Sequence, residues 1–479
     1  MRANPHILFT HAFFLANDEK QLKEKFRPYP PLATLYAAAV VREAGYRVSL
    51  FDAVLAASVE EFRTRINAQP CDLLVIYEDD FNFLTKMCLT HVRDACFDMI
   101  DTASSLNIPV VVHSADASDR PELYLQRGAD YVVTGEGEQT LLELVDALQQ
   151  SAQLAELPPG VITLQDGSLL SAGKRNNFRD IDHLPFPAWD LVDFEQYRQA
   201  WQGQHGHFSI NMVSSRGCPY KCNWCAKPIW GQQYVRFRPE YMAEQLSWLK
   251  SHVQPEHIWF ADDIFGLNKE WLSSFTETIE STGATVPFTI QSRADLVDER
   301  TASLLRRAGC EEVWLGVESG SQAILDSMDK DIELWQVRQA RRLLQDNGIK
   351  VGFFIQLGYS GEDLEDLQQT RDLILQLKPD SIGVSVSYPL PGTRFHEMVA
   401  EQLDEKQNWV QSNDLDAFFT ATFTSAFYRK VRNQLHGELK AIHTGGNVEY
   451  WRSEWQNLTQ SAEDYRNVDT VTLLTREAL

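Results

Sequence analysis

Short apolar runs alternate with longer amphipathic stretches in two successive series along the chain. In the first, HILF (6–9), RVSLFD (47–52), DLLVIY (72–77), PVVVHS (109–114) and the opening of DYVVTGEGEQTLLELVDAL (130–148) read as buried strands. Between the first two lies PPLATLYAAAVVREAG (30–45), with prolines where a helix start tolerates them, apolar residues at helical spacing and Gly45 as a stop. Strands separated by helices predict a doubly wound, Rossmann-like parallel sheet over residues 1–150. Ligands of such sheets bind at the carboxyl ends of the strands, here roughly residues 10–28, 52–56, 77–84, 113–118 and 134–139.

Residues 151–207 read as a connector, with a hairpin (VITLQDGSLLSAG) and the proline-rich turn LPFPAWD. A second series follows: FSINMVSS (208–215), HIWFADD (257–263), PFTIQSRA (287–294), EVWLGVES (312–319), VGFFIQLG (351–358) and SIGVSVSYPL (381–390) as strands, with helical stretches between them. Six such units predict a partial (β/α)6 TIM-like barrel over 208–400, whose functional residues gather at the strand C-termini. Residues 401–479 read as a helical C-terminal extension, polar with interleaved aromatics (AFFTATFTSAFYRKV, EYWRSEWQNL), packed as a cap on the barrel.

Composition narrows the function. Asp and Glu number 67 against 44 Lys and Arg, a formal charge of -23, which repels phosphate backbones and argues against a nucleic-acid partner. A small-molecule substrate fits this balance better. The N-terminal stretch lacks a cleavage site of signal-peptide type, and no apolar run approaches the roughly 20 residues of a membrane span, so a cytoplasmic protein is expected. The seven cysteines are odd in number and mostly scattered, as in a reducing compartment.

Three of them are not scattered. In SSRGCPYKCNWCAKPIWG (214–231), Cys218, Cys222 and Cys225 share one loop after the first barrel strand. Free cysteines do not cluster without chemical cause. Structural zinc closes with four ligands, and no fourth Cys or His lies beside these three; His205 and His207 precede the strand. An iron–sulfur cluster, whose standard ligands are thiolates, is the better match, and three thiolates on four irons leave one iron open.

Cys-x-x-x-Cys-x-x-Cys at this position, with aromatic Trp224 before the third cysteine, resembles the radical S-adenosylmethionine (SAM) enzymes. The resemblance implies a [4Fe-4S] cluster on Cys218, Cys222 and Cys225. Its open iron would chelate SAM, and one electron would cleave SAM to methionine and a 5′-deoxyadenosyl radical. The same resemblance carries further residues over to the SAM site. Asp262 and Asp263, in FADDIFG, end the second strand, where the family meets the SAM amino group mainly through backbone; they also read as a helix-capping pair. Arg293 suits the SAM carboxylate, or a plain ion pair. Glu318, in LGVESGSQ, is placed for the ribose hydroxyls, with Gly316 letting backbone approach. GFFIQLGYSGED resembles the adenine-lining segment, with Ser360 where the family often has proline.

One subgroup of that family carries an N-terminal cobalamin-binding domain, which residues 1–150 resemble in order and local pattern. The Asp-x-His-x-x-Gly motif of many cobalamin domains is absent, and His11 and His113 lack its context, so cobalamin without a histidine ligand on cobalt is implied. Gly135 and Gly137 of the GEGEQT turn would let backbone approach it; the turn also reads as a tight strand-to-helix connection. The implied activity is methyl transfer to an unactivated carbon of a small molecule, driven by a reducing electron donor such as flavodoxin or ferredoxin. The alternative is oxidative cyclisation or rearrangement of the porphyrin-cyclase type. A tRNA-modifying, sulfur-adding enzyme needs a basic RNA-binding domain and further cluster cysteines, which Cys71, Cys88 and Cys96 do not resemble. A non-catalytic cobalamin or metal sensor is the reading from another class. No residue is singled out as a catalytic acid or base.

Overall fold

The computed structural model describes residues 5–150, 157–227, 229–403, 405–406 and 408–467. The first sheet runs β2-β1-β3-β4-β5-β6-β7, with β1 His6–Thr10, β2 Arg47–Phe51, β3 Leu73–Tyr77, β4 Val110–His113, β5 Tyr131–Val133, β6 Val161–Gln165 and β7 Ser168–Ser171. The first five strands are parallel. Every residue of β3 and β4 is buried, which explains their unbroken apolar runs. The hairpin that the sequence assigns to a connector instead extends this sheet: β6 pairs antiparallel with β5, and β7 with β6.

The second sheet runs β8-β11-β12-β13-β14-β15 and is parallel throughout, with β8 Ser209–Met212, β11 His257–Phe260, β12 Phe288–Ser292, β13 Cys310–Glu318, β14 Lys350–Leu357 and β15 Ser381–Val386. Among the described residues β8 and β15 each pair on one side only, so the barrel is open. A two-stranded antiparallel ladder, β9 Ser215–Arg216 with β10 Val235–Arg236, frames the cysteine loop.

The carboxyl ends of the two sheets face each other. Lys86, in the segment after β3, pairs with Asp263 after β11 at 2.7 Å, and Tyr388 after β15 donates to the Met87 carbonyl at 3.4 Å. Deeper in the joint, Asn211 of β8 donates to the Pro30 carbonyl at 3.0 Å and Gln245 to the Tyr36 hydroxyl at 3.2 Å. Both predicted ligand edges therefore open onto one shared region.

The C-terminal extension differs from a plain helical cap. Helices Ser425–Thr444 and Val448–Gln460 form, and the first is tied to the barrel by a buried Arg371–Glu438 pair at 2.7 Å. Ahead of them, the described residues of 403–424 carry no helix. This stretch is rich in Thr and Phe, poor helix formers, and Phe418 sits at φ +59°. It crosses to the first sheet instead. Trp409 accepts from Thr90 N through its carbonyl at 2.8 Å, Asn408 Nδ2 donates to the Cys88 carbonyl at 2.7 Å, and Ser412 donates to Asp18 from both backbone and hydroxyl. The buried aromatics Trp409, Phe418, Phe419 and Phe423 fasten it down. Among the described residues, no helix is long and apolar enough to cross a membrane.

Candidate active site at the facing strand ends

The cysteine loop starts where β9 ends. Gly217 takes φ +76°, and a Cβ there would lie 2.2 Å from the Gln233 carbonyl oxygen, so only glycine lets the chain turn between Arg216 and Cys218. Asn223 N donates to the Met328 carbonyl at 3.0 Å, and its side chain accepts from the Tyr359 hydroxyl at 2.9 Å, which anchors the middle of the loop. All three thiols are free and partly buried. Burial pushes the Cys218 thiol up, and the Cys225 thiol up to about 12. Among the described residues no three His, Cys, Asp or Glu side chains are already arranged around a single ion.

Several predicted residues do converge on this loop. Arg293, at the end of β12, stacks on Tyr220 with its guanidinium carbon 3.7 Å from the ring centroid and lies 3.9 Å from Cys222 Sγ. It also pairs with Asp295 at 2.9 Å and donates to the Lys330 carbonyl at 2.9 Å. Glu318 closes β13 at φ +65°, beside a register shift against β14. A left-handed, non-glycine residue at a strand end is the kind of local strain that collects at functional sites. Its carboxylate pairs with Lys330 at 2.7 Å, both side chains being buried. A Cβ on Gly316 would fall 2.8 Å from both Glu318 Oε1 and Lys330 Nζ, so the glycine makes room for this pair. The Lys330 ammonium lies 5.9 Å from the Trp224 ring, and Trp224 Nε1 is buried without a partner.

Other predicted residues have different tasks. Asp262 is fully buried, and its carboxylate accepts from Ser214 N at 3.1 Å and from the Ser214 and Ser215 hydroxyls, which pins β8 to β11. Burial raises it to about 6. The Asp263 carboxylate is taken by Lys86 across the joint. Neither side chain serves as a helix cap; Asn268 caps the following helix. Gly135 has φ +70°, and a Cβ on Gly137 would lie 2.6 Å from the Tyr77 hydroxyl, so this turn packs directly on the end of β3. His113 has both nitrogens engaged, to the Val133 carbonyl at 2.9 Å and Asp80 at 2.8 Å. His11 Nε2 lies 3.2 Å from Asp52 and 3.1 Å from Ala53 N.

Sequence reasoning passed over Lys330, Arg216 and the Glu78–Asp79–Asp80 run. Lys330 carries no motif. Arg216 borders the cysteine motif, and that adjacency was the available signal. Burial raises Glu78 to about 7, Asp79 to about 6 and Glu362, after β14, to about 8. These acids hold protons more tightly folded than unfolded, so the folded chain binds more protons between about pH 4 and 8 and loses stability as pH rises through that window. Glu362→Gln is expected to flatten the upper part of that decline, read as melting temperature against pH. An unchanged slope between pH 6 and 8 would show that Glu362 is ionised in the folded chain.

Residues 212–374 match the Radical SAM superfamily, so the open barrel with its cysteine loop is a radical SAM domain. The chain is an enzyme of this type. An uncharacterised methyltransferase of Pyrococcus horikoshii is 28% identical over 414 residues, 84% of this chain and 86% of its own length. The anaerobic magnesium-protoporphyrin IX monomethyl ester cyclase of Rubrivivax gelatinosus is 26% identical over 290 residues, 59% of this chain and 52% of its own, so the chain spans about half of that relative. The fold resembles the radical SAM methyltransferase TsrM of Kitasatospora setae, solved with cobalamin and a [4Fe-4S] cluster, at TM-score 0.68 and 17% identity over 83% of this chain and 75% of that one. It also resembles the cobalamin-dependent radical enzyme OxsB, at TM-score 0.71 and 17% identity over 96% and 72%. The likeness spans both sheets, because the matched region exceeds the barrel alone.

Proposed function

We propose that this chain is a cobalamin-dependent radical SAM enzyme that transfers a methyl group to an unactivated carbon of a small molecule. The observation that carries it is the facing of two ligand edges: the cysteine loop of the barrel opens toward the strand ends of a Rossmann-like sheet. Cys218, Cys222 and Cys225 would hold the cluster. Arg293, Glu318, Gly316 and Trp224 surround the place beside it where SAM would sit, and the backbone of Asp262 and Asp263 ends the strand next to it. Gly135 and Gly137 belong to the opposite edge, where cobalamin would lie; the engaged His113 agrees with cobalt lacking a histidine ligand. When bound, these groups supply the electron that cleaves SAM and the carrier for its methyl group. The protein's own part is to fix both edges, to keep water out through the 403–424 crossing, and to orient SAM with the Glu318–Lys330 pair.

Domains of residues 1–150 and 208–400 are thus read as the cobalamin and SAM units, with an electron donor of flavodoxin or ferredoxin type. The test is anaerobic reconstitution with iron, sulfide and hydroxocobalamin, followed by incubation with SAM and a low-potential chemical reductant. Near-stoichiometric retention of cobalamin, with S-adenosylhomocysteine and 5′-deoxyadenosine both formed from SAM, is the expected result. 5′-Deoxyadenosine alone, with no cobalamin retained, would sink methyl transfer. Cobalamin retained with 5′-deoxyadenosine but no S-adenosylhomocysteine would favour the cyclase-type reaction, which the Rubrivivax relative keeps in view.

A further inference from the structure

The ion pairs that cross between the two sheets are not equivalent. Lys86–Asp263 is partly exposed, with side chains 17% and 26% accessible. Arg216 is different: it is 2% exposed, and its two carboxylate partners, Glu136 and Glu138, are 4% and 1% exposed. Nη1 donates to Glu136 at 3.2 Å and Nη2 to Glu138 at 2.7 Å. The guanidinium sits in a box of rings, 4.9 Å from the Trp230 centroid, 5.5 Å from Tyr36 and 5.7 Å from Phe81. Three buried charged groups at the centre of a joint give little net stability compared with apolar packing, but removing one partner leaves the others uncompensated.

What they join is specific. Arg216 is the last residue of β9, two positions before Cys218, and the left-handed Gly217 turn joins it directly to that cysteine. Glu136 is the N-cap and Glu138 lies in the first turn of the helix Gly137–Gln149 that follows β5, and Gly137 between them rests on Tyr77 and His113 at the first sheet's ligand edge. A second strap runs in parallel. Phe178 N donates to the other oxygen of Glu136, and the neighbouring Asn177 side chain donates to the Trp230 carbonyl at 2.7 Å, on the far arm of the cysteine loop. Both arms of that loop are therefore referenced to one turn of the first sheet.

We propose that Arg216 is a positioning residue that couples the Glu136–Glu138 turn to the cysteine loop, so that order at one ligand edge sets order at the other. The inference rests on reading these edges as two cofactor sites. By linkage, a ligand that orders the turn strengthens cluster loading at the loop, and the reverse holds equally. Arg216→Lys keeps the charge but replaces the planar fork, one arm on each carboxylate, with a point charge on a flexible stem. Glu138→Gln removes one charge and keeps an acceptor.

Hydrogen exchange on the full chain, free of cofactors, is the first measurement. In either variant, amides of 134–140 and of 215–227 are expected to exchange together, about tenfold faster or more, as befits loss of a charge-assisted bond. Protection across Lys86 and Asp263 should stay as in the parent. The second measurement is the dissociation constant of hydroxocobalamin with and without prior iron–sulfide reconstitution. The parent should bind it more tightly when reconstituted, and the variants should lose that difference. Faster exchange at 134–140 with an unaltered 215–227 segment, or a cobalamin difference that survives Arg216→Lys, would overturn the coupling. A parent that binds no cobalamin would instead strike the functional reading and leave the exchange result to judge the coupling alone.

Discussion

Replacing Cys222 by Ala is expected to abolish iron retention and reduce SAM cleavage to background, while the chain stays folded. The loop it belongs to is held by contacts that do not involve the thiol: Asn223 to Met328 and Tyr359, Lys227 Nζ to the Cys218 carbonyl at 3.0 Å, and the Gly217 turn. Cys222 is partly exposed and packs no core, so the cost in stability should fall within about 1 kcal/mol, as for surface changes. A cluster with three protein ligands that loses one is left with two, and its assembly fails. Iron and sulfide analysis after anaerobic reconstitution reads the first effect, and 5′-deoxyadenosine the second. A variant that binds iron and cleaves SAM like the parent would falsify the cluster assignment.

The second large effect belongs to a residue without a motif. Lys330→Met should destabilise the chain by about 3 kcal/mol and weaken SAM binding in parallel, because it strands the buried Glu318 carboxylate without its cation. Burial opposes the ammonium's charge, but the Glu318 carboxylate and the nearby Cys222 together raise it above the ordinary lysine range. The double change Lys330→Met with Glu318→Gln should restore most of the stability, since no charge is then left unpaired, while SAM binding stays weak. Urea unfolding measures the first and equilibrium binding of SAM to the reconstituted enzyme the second. Full recovery of SAM affinity in the double variant would mean that the pair supports the fold only.

The fold was legible because its elements are locally encoded. Runs such as LLVIY and VVVH are buried on both faces of a parallel sheet and need no partner information to be recognised. Helix starts are encoded locally too: Ser58, Asn268, Asp298 and Asp363 each cap a helix with their own side chain, whereas the capping pair read at Asp262–Asp263 caps none. The extension was less legible, since a Thr- and Phe-rich stretch gains its extended form from the aromatic bed it crosses and not from its own propensity. The hairpin at 161–171 was visible as a hairpin, but its docking on β5 depends on an exposed sheet edge that no local pattern records.

The sequence by itself determined the chemistry that one short loop can perform: three thiols at fixed spacing behind a glycine that must turn, on the first strand of a barrel. It also determined the two ligand edges, because strand ends follow from chain order. Only the tertiary structure decided that those edges face each other, that Asp262 spends its carboxylate on Ser214 and Ser215, that Glu318 meets Lys330, and that Arg216 reaches Glu136 and Glu138 some eighty residues away. The reason is physical: spacing along the chain fixes which groups are near in a strand or turn, whereas the pairing of buried charges depends on how independently folded sheets close on one another.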